Sequence, residues 1–309
     1  MEDLFYQKLI RIVPEEHIRQ QEPMEAHTSL HIGGKADYFI MPSDTEEIKQ
    51  LVMLCRQEEM PYYIMGNGSN LLVSDQGYRG LILQLGEEFS KLWYKEDGRM
   101  TAQAGVLMAR LANAAAEHSL TGLEFASGIP GTLGGAVTMN AGAYDGEMKQ
   151  CLTGVRVLDE EGNVIELNRE ELELGYRTSI LQKKNYILLE ADLQLSGGDS
   201  VAIRQKMNEL NAQRREKQPL EKFSAGSTFK RPTGYFAGKL ISDAGLRGYR
   251  VGGAAVSEKH CGFLINLDHA TAKDFLTLID DVIRIVQDKF GVRLEPEVKF
   301  LGDFPRKAD

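Results

Sequence analysis

Apolar residues recur along this chain with two periods. Spacings of three and four predict helices, and alternation or short apolar runs predict strands. Residues 44–59 place Ile48, Leu51, Val52 and Cys55 on one face, with Ser43 or Asp44 as cap and Pro61 beyond the end, and predict a helix. PYYIMG (61–66) predicts a short strand entering a glycine-rich turn, and GLILQL (80–85) a second strand. RMTAQAG (99–105) predicts a third strand, followed by a helix over 107–118. VRVLDEEGNVIEL (155–167) holds two alternating runs around Gly162 and Asn163, which predicts a hairpin. YILLEADLQL (186–195) predicts a strand and residues 201–217 an amphipathic helix ending before Pro219. A long helix is predicted over 272–290, begun near Thr271 and closed by Gly291, with VRLEPEVKFLG (292–302) as the last strand.

These elements mix without strict strand–helix alternation and without internal repeats, so the expected class is α+β. A length of 309 residues suits two or three packed subdomains. The expected boundary lies in SGGDS (196–200), where two glycines separate a strand from a helix.

Composition changes the picture mainly by exclusion. The net charge of −9 disfavours a nucleic-acid binder. Basic residues nevertheless outnumber acidic ones from Arg204 to Arg231, which reads either as a solvated helix face or as the seat of a small anion. The start, MEDLFYQ, is acidic where a signal peptide is basic, and the apolar stretch FLTLIDDVIRIV is broken by Asp280, Asp281 and Arg284. No membrane association is expected. Cys55, Cys151 and Cys261 are scattered and odd in number, which argues against a disulfide framework and a zinc site, and for a reducing cytoplasm. No metal is expected.

Five segments carry candidate chemistry. MGNGSNLL (65–72) begins as G-x-G, but Leu71 stands where a dinucleotide fingerprint needs a third glycine, and a strand-like LLVS follows. It reads equally as a tight turn or as a backbone nest for a pyrophosphate. ASGIPGTLGGAVTMNAGAYDGE (126–147) interleaves six glycines with Ile129, Leu133, Ala136, Val137 and Met139, which want burial, so a buried glycine-rich loop against a cofactor fits better than a flexible one. In SAGSTFKRPTGYFAGKLI (224–241), Ser227 has neither a G-x-S-x-G elbow nor a histidine close in sequence, and by itself reads as a turn serine. Arg177 in GYRTS (175–179) reads by itself as a surface arginine, and Glu297 in LEPEVKF (294–300) as an edge-strand charge.

Together, in this order, with HTSLHIGGKADYF (27–39) ahead of them, these segments resemble the UDP-N-acetylenolpyruvoylglucosamine reductase (MurB) family over nearly the whole chain. The resemblance implies a non-Rossmann FAD module of the vanillyl-alcohol-oxidase type within residues 1–200 (core about 33–197, split near 65), and a substrate domain over 201–309. It implies FAD, held non-covalently, NADPH as co-substrate and UDP-N-acetylglucosamine enolpyruvate as substrate, in a monomer. The FAD contacts it implies are Gly66, Asn67, Gly68, Ser69 and Asn70, then Ser127, Gly128, Ile129, Gly131, Thr132, Gly135, Ala136, Asn140, Ala141, Gly142 and Ala143. Ser227 matches a proton donor, and Arg177 and Glu297 a pair stabilising an enol intermediate. Tyr176, Arg214, Lys217 and Arg231 match substrate-binding positions. Some members carry an insertion with a tyrosine that closes over substrate; the interval from Ser179 to Lys217 is too short for it, so this chain resembles the branch without that lid. The alternatives are a flavin oxidase of the same fold and a non-catalytic nucleotide-sugar binder.

Overall fold

The computed structural model describes residues 3–304, so the first two residues of the acidic start lie outside it. The chain divides into two compact units. The first comprises residues up to 20, 38–67 and 80–214; the second comprises 21–37, 68–79 and 215 onward.

The first unit is built around a five-stranded antiparallel sheet in the order Val164–Asn168, Leu152–Leu158, Ile187–Gln194, Arg99–Gln103, Leu92–Lys95. The expected hairpin forms its edge, with Val155 opposite Leu167 and Val157 opposite Ile165. The helix Thr45–Gln57 starts where its cap predicted, at Asp44, whose carboxylate accepts the Glu47 amide at 2.9 Å. Ile48, Leu51, Val52 and Cys55 are all buried, joining one core with Leu111 and Ala115 of the Met108–Glu117 helix and with Met100, Val157 and Leu193 of the sheet. Burial of each large side chain contributes roughly 1.5–3 kcal/mol. Tyr62–Met65 pairs in parallel with residues 81–84. The helix Ser200–Lys217 buries Ile203, Met207 and Leu210.

The second unit has a four-stranded antiparallel sheet, Phe223–Ser224, Leu264–Asn266, Ala254–Val256, Arg250–Val251. The helix Ala272–Phe290 packs on it through Phe275, Leu278, Ile279, Val282 and Val286. Thr271 caps that helix through the Asp274 amide, and Gly291 ends it at φ +69°. The mixture is α+β, as expected.

Three expectations change. The last strand is short: only Lys299–Leu301 is a strand, parallel to Leu71–Val73. Pro296 has no amide hydrogen to give, and the residues beside it bond elsewhere, Glu295 O accepting from Lys230 N at 2.9 Å and Glu297 N donating to Thr228 O at 2.7 Å. Glu297 therefore precedes the strand and does not lie in it. The segment 126–147 is no loop: it contains a helix, Leu133–Thr138, and a tight hairpin pairing Gly142–Ala143 with Gly146–Glu147 across Tyr144 and Asp145, both at positive φ. The region around SGGDS is ordered, with Ser196–Gly197 paired to Leu120–Thr121, and the helix after it stays with the first unit as far as Arg214.

Candidate active site

In the first unit the glycine-rich segment is held from below by apolar side chains. Leu133, Ala136 and Val137 are buried, whereas Ile129 and Met139 are only partly so. The helix enters through backbone bonds from Leu133 N to Val106 O and Gly134 N to Ala104 O, both 2.8 Å. The turn at Gly66–Asn67 lies against this segment. Asn67 Nδ2 donates to Pro130 O at 2.7 Å, and a Cβ on Gly66 would collide with Thr132 Oγ1. This close approach is what that glycine supplies. Gly135 stands exposed with nothing within 4 Å of its missing Cβ, so the backbone there is open to a ligand. Neighbouring backbone amides and a ligand-accessible glycine suit a cofactor carrying a diphosphate, so the residues fit FAD. Gly68, Ser69 and Asn70 fall in the second unit; Asn70 Nδ2 donates to Glu297 O at 3.1 Å.

The same segment is tied to GYRTS. Asn140, 2% exposed, donates to Gly175 O at 3.1 Å and to Glu147 at 2.9 Å, which supports Ala141 to Ala143 from behind. Ser179 Oγ donates to Thr138 O at 2.7 Å, and Gln182 Nε2 to both Thr138 O and Arg177 O. Arg177 is held at φ +57°, a backbone state that costs a non-glycine residue on the order of 1 kcal/mol and clusters at functional sites. Its guanidinium lies 5.2 Å from the ring of Tyr176, which is 57% exposed. Arg214 packs beside Gly128 together with Asn211, whose amide donates to Ser127 Oγ at 3.1 Å. Burial pulls the Arg214 guanidinium below its ordinary range, a penalty only partly offset by Tyr144. Arg214 thus sits with the glycine-rich segment, while Lys217 is exposed at the helix end.

In the second unit Ser227 and Glu297 are brought close by the pairing of Thr228 with Glu297 and the bridge of Phe229 to Pro296. Ser227 Oγ is half-buried and donates a long bond, 3.3 Å, to Phe229 O. Lys230 forms an ion pair with Glu295, and Arg231 lies 3.9 Å over the ring of Phe236. Sequence reasoning found no histidine near Ser227. The fold supplies one: a Cβ on Gly262 would stand 3.1 Å from His260 Nδ1 and 3.5 Å from Ser227 Oγ. The signal, KHCG, carries no meaning until strand pairing places it beside Ser227. Among the described residues no cluster of histidine, cysteine or carboxylate side chains could hold a metal, and no helix is long and apolar enough to cross a membrane.

Residues 36–168 match the model of an FAD binding domain, and residues 218–301 that of the UDP-N-acetylenolpyruvoylglucosamine reductase C-terminal domain. The chain is 55% identical over 306 residues to the UDP-N-acetylenolpyruvoylglucosamine reductase of Lachnoclostridium phytofermentans, covering 98% of this chain and 99% of the relative. It is 51% identical over 298 residues to that of Clostridioides difficile, covering 96% and 98%. The crystal structure of UDP-N-acetylenolpyruvylglucosamine reductase from Thermus caldophilus superposes with a TM-score of 0.79 at 37% identity, covering 92% of this chain and all of that one. Alkyldihydroxyacetonephosphate synthase shares the fold alone, with a TM-score of 0.51 at 16% identity over 64% of this chain and 41% of its own. Fold and glycine-rich cradle define the class: an α+β flavoprotein with a vanillyl-alcohol-oxidase-type FAD module. Within that class, the chain belongs to the UDP-N-acetylenolpyruvoylglucosamine reductase family.

Proposed function

We propose that this chain is an NADPH-dependent oxidoreductase that converts UDP-N-acetylglucosamine enolpyruvate to UDP-N-acetylmuramate in peptidoglycan synthesis. It acts as a cytoplasmic monomer, with FAD bound by the 1–200 region and the UDP-sugar by residues 201–309. FAD held there would supply the redox chemistry, passing hydride from NADPH to the β-carbon of the enolpyruvyl group. The observation that carries the reading is the bond from Glu297 N to Thr228 O, 2.7 Å, which ties the backbone of Glu297 to the segment that carries Ser227.

The residues divide the work that remains. Hydride addition leaves negative charge at the α-carbon, delocalised into the neighbouring carboxylate as an enolate, and such charge needs preorganised positive partners. Arg177 supplies a cation whose backbone is constrained, so little reorganisation is needed as charge develops. Ser227 gives its proton to the α-carbon. Glu297 helps in its protonated form, or by orienting a donor, because a bare carboxylate would oppose the enolate. Lys217 and Arg231 are exposed cations suited to diphosphate or carboxylate, with Tyr176 as an exposed ring beside Arg177. Arg214, placed beside Gly128, serves substrate from the cofactor side.

The test is anaerobic. NADPH should bleach the visible flavin absorbance of the purified protein, and the enolpyruvyl UDP-sugar should then restore it. A protein that bleaches and recovers only in air is a flavin oxidase. A colourless protein that takes up no FAD is neither.

A further inference from the structure

The turn Ser257–Phe263 carries a histidine, His260, that the fold brings toward Ser227. The turn is closed by Ser257 N to Phe263 O and Phe263 N to His260 O, both 2.9 Å, and by Ser257 Oγ, which accepts the amides of Lys259 and His260 at 3.2 and 3.3 Å. Within it, Gly262 N donates to His260 Nδ1 at 3.1 Å. Gly262 O accepts the amide of Thr228, the residue after Ser227, at 2.9 Å, and Thr228 O accepts the Glu297 amide at 2.7 Å. Thr228 Oγ1 accepts Leu264 N at 3.1 Å, and Asn70 holds Glu297 O at 3.1 Å. These bonds run from the imidazole to the backbone of Thr228, next to Ser227, and on to the backbone of Glu297. A Cβ on Gly262 would stand 2.9 Å from His260 Cε1 and 3.5 Å from Ser227 Oγ, so ring and hydroxyl both lie on the side of that glycine where a side chain would project.

We propose that His260 is a positioning residue: its neutral Nδ1 anchors Gly262, and through Gly262 and Thr228 it sets the place of Ser227 and Glu297. The proposal rests on the reading of Ser227 as proton donor. It requires an imidazole without a proton on Nδ1, because a charged ring would turn a second donor toward the Gly262 amide. The surroundings favour that form. Burial holds the His260 pKa below its ordinary value; a hydrogen bond to its own backbone opposes this in part, and the Arg247 guanidinium, bound to the Glu258 carbonyl, adds to the lowering. The other charged groups of the adjoining elements are engaged. Lys259 donates to Arg215 O at 2.7 Å and lies 3.8 Å from Glu221, and on the helix Ala237–Asp243, which approaches through Gly238, Lys239 pairs with Asp243. The Glu258 side chain lies against Gly248.

Stopped-flow measurement of the two half-reactions of the holoenzyme tests this, over about pH 5 to 9. His260→Ala should slow reoxidation by the enolpyruvyl UDP-sugar about tenfold, the scale of one lost hydrogen bond, and leave bleaching by NADPH within about twofold. His260→Asn, whose amide oxygen can take the place of Nδ1, should recover to within about threefold of the parent and lose the acid limb of the reoxidation profile. The double variant Ser227→Ala/His260→Ala should be slower than Ser227→Ala by less than the factor that His260→Ala costs the parent, since the part of the His260 effect that runs through Ser227 is already lost and only the part through Glu297 remains. Equal slowing of both half-reactions, no slowing, or additive losses in the double variant overturn the proposal. If His260→Ala fails to fold, the Asn variant decides by its pH profile, and an unchanged acid limb overturns it. If Ser227→Ala itself leaves reoxidation intact, the donor reading has failed and takes this inference with it; if Ser227→Ala is slow and His260→Ala is not, only the positioning role is lost.

Discussion

The segments 126–147 and 224–232 are both short, rich in small residues and assigned to chemistry, yet they hold their shape by different means. The first is shaped by packing: Leu133, Ala136 and Val137 go down into the core of the first unit, and the glycines ride above them. The second adds a polar frame to its packing: Ala225 and Phe229 are buried, while Thr228, 1% exposed, donates its amide to Gly262 O and accepts the amides of Glu297 and Leu264 at its carbonyl and hydroxyl. A cradle for a large cofactor needs backbone at a close, fixed distance, which close packing provides. A proton donor must be held with its hydroxyl available, which directional hydrogen bonds provide without covering it. The two regions should therefore fail in different ways.

The largest effect is expected at Ser227. Ser227→Ala should slow substrate-driven reoxidation by about 10²–10⁴-fold while NADPH-driven bleaching stays nearly intact, and Ser227→Cys, a better acid of similar size, should recover part of the loss. Stopped-flow absorbance separates the halves, and equal slowing of both would erase the functional distinction between the regions. Next come two substitutions that swap the failure modes. Thr228→Val keeps shape but leaves the buried Leu264 amide without its hydroxyl acceptor, whereas Gly146→Ala pushes a methyl to within 2.5 Å of the Phe125 ring. Each should cost about 1–3 kcal/mol in denaturant unfolding, but only Gly146→Ala should also weaken FAD retention through the 142–147 hairpin. FAD loss by both would mean that the two regions are one cooperative site. Lys217→Ala, at an exposed position outside both, should raise the substrate KM about tenfold with kcat and melting temperature unchanged. A collapse in kcat would move Lys217 into the chemistry.

The smallest effect is a drift with pH. Burial lowers the folded-state pKa of His260, so the folded protein binds that proton more weakly than the unfolded chain does. Its stability contribution is complete above the ordinary imidazole range near about pH 6.5 and falls as pH drops below it. Melting temperatures of parent and His260→Asn should converge on acidification. A difference that grows instead would reverse the sign assigned to the shift.

Much of the second region's chemistry was hidden in the sequence. Ser227 and Glu297 were nameable only through a family resemblance, because an isolated turn serine and an isolated glutamate have no local signature. His260 was passed over because a histidine far along the chain has no visible relation to Ser227 until the strands at 223–224 and 264–266 pair. In the first region the interleaved apolar residues were enough to indicate burial, but not that Leu133–Thr138 would be helical, since Gly134 and Gly135 argue against a helix and only the core beneath them overrides that preference.

What the sequence determined by itself was whatever depends on near neighbours. The Asp44 and Thr271 caps, the Gly291 stop, the 155–167 hairpin and the buried face of Thr45–Gln57 all follow from periodicity and from side chains within a turn of the groups they satisfy. Tertiary structure alone decided that the last strand begins at Lys299, that Arg214 lies under Gly128, and that His260 stands across Gly262 from Ser227. Each of those outcomes turns on a partner distant in the chain, and a hydrogen bond or a packed contact to such a partner outweighs a local preference of a few tenths to about 1 kcal/mol.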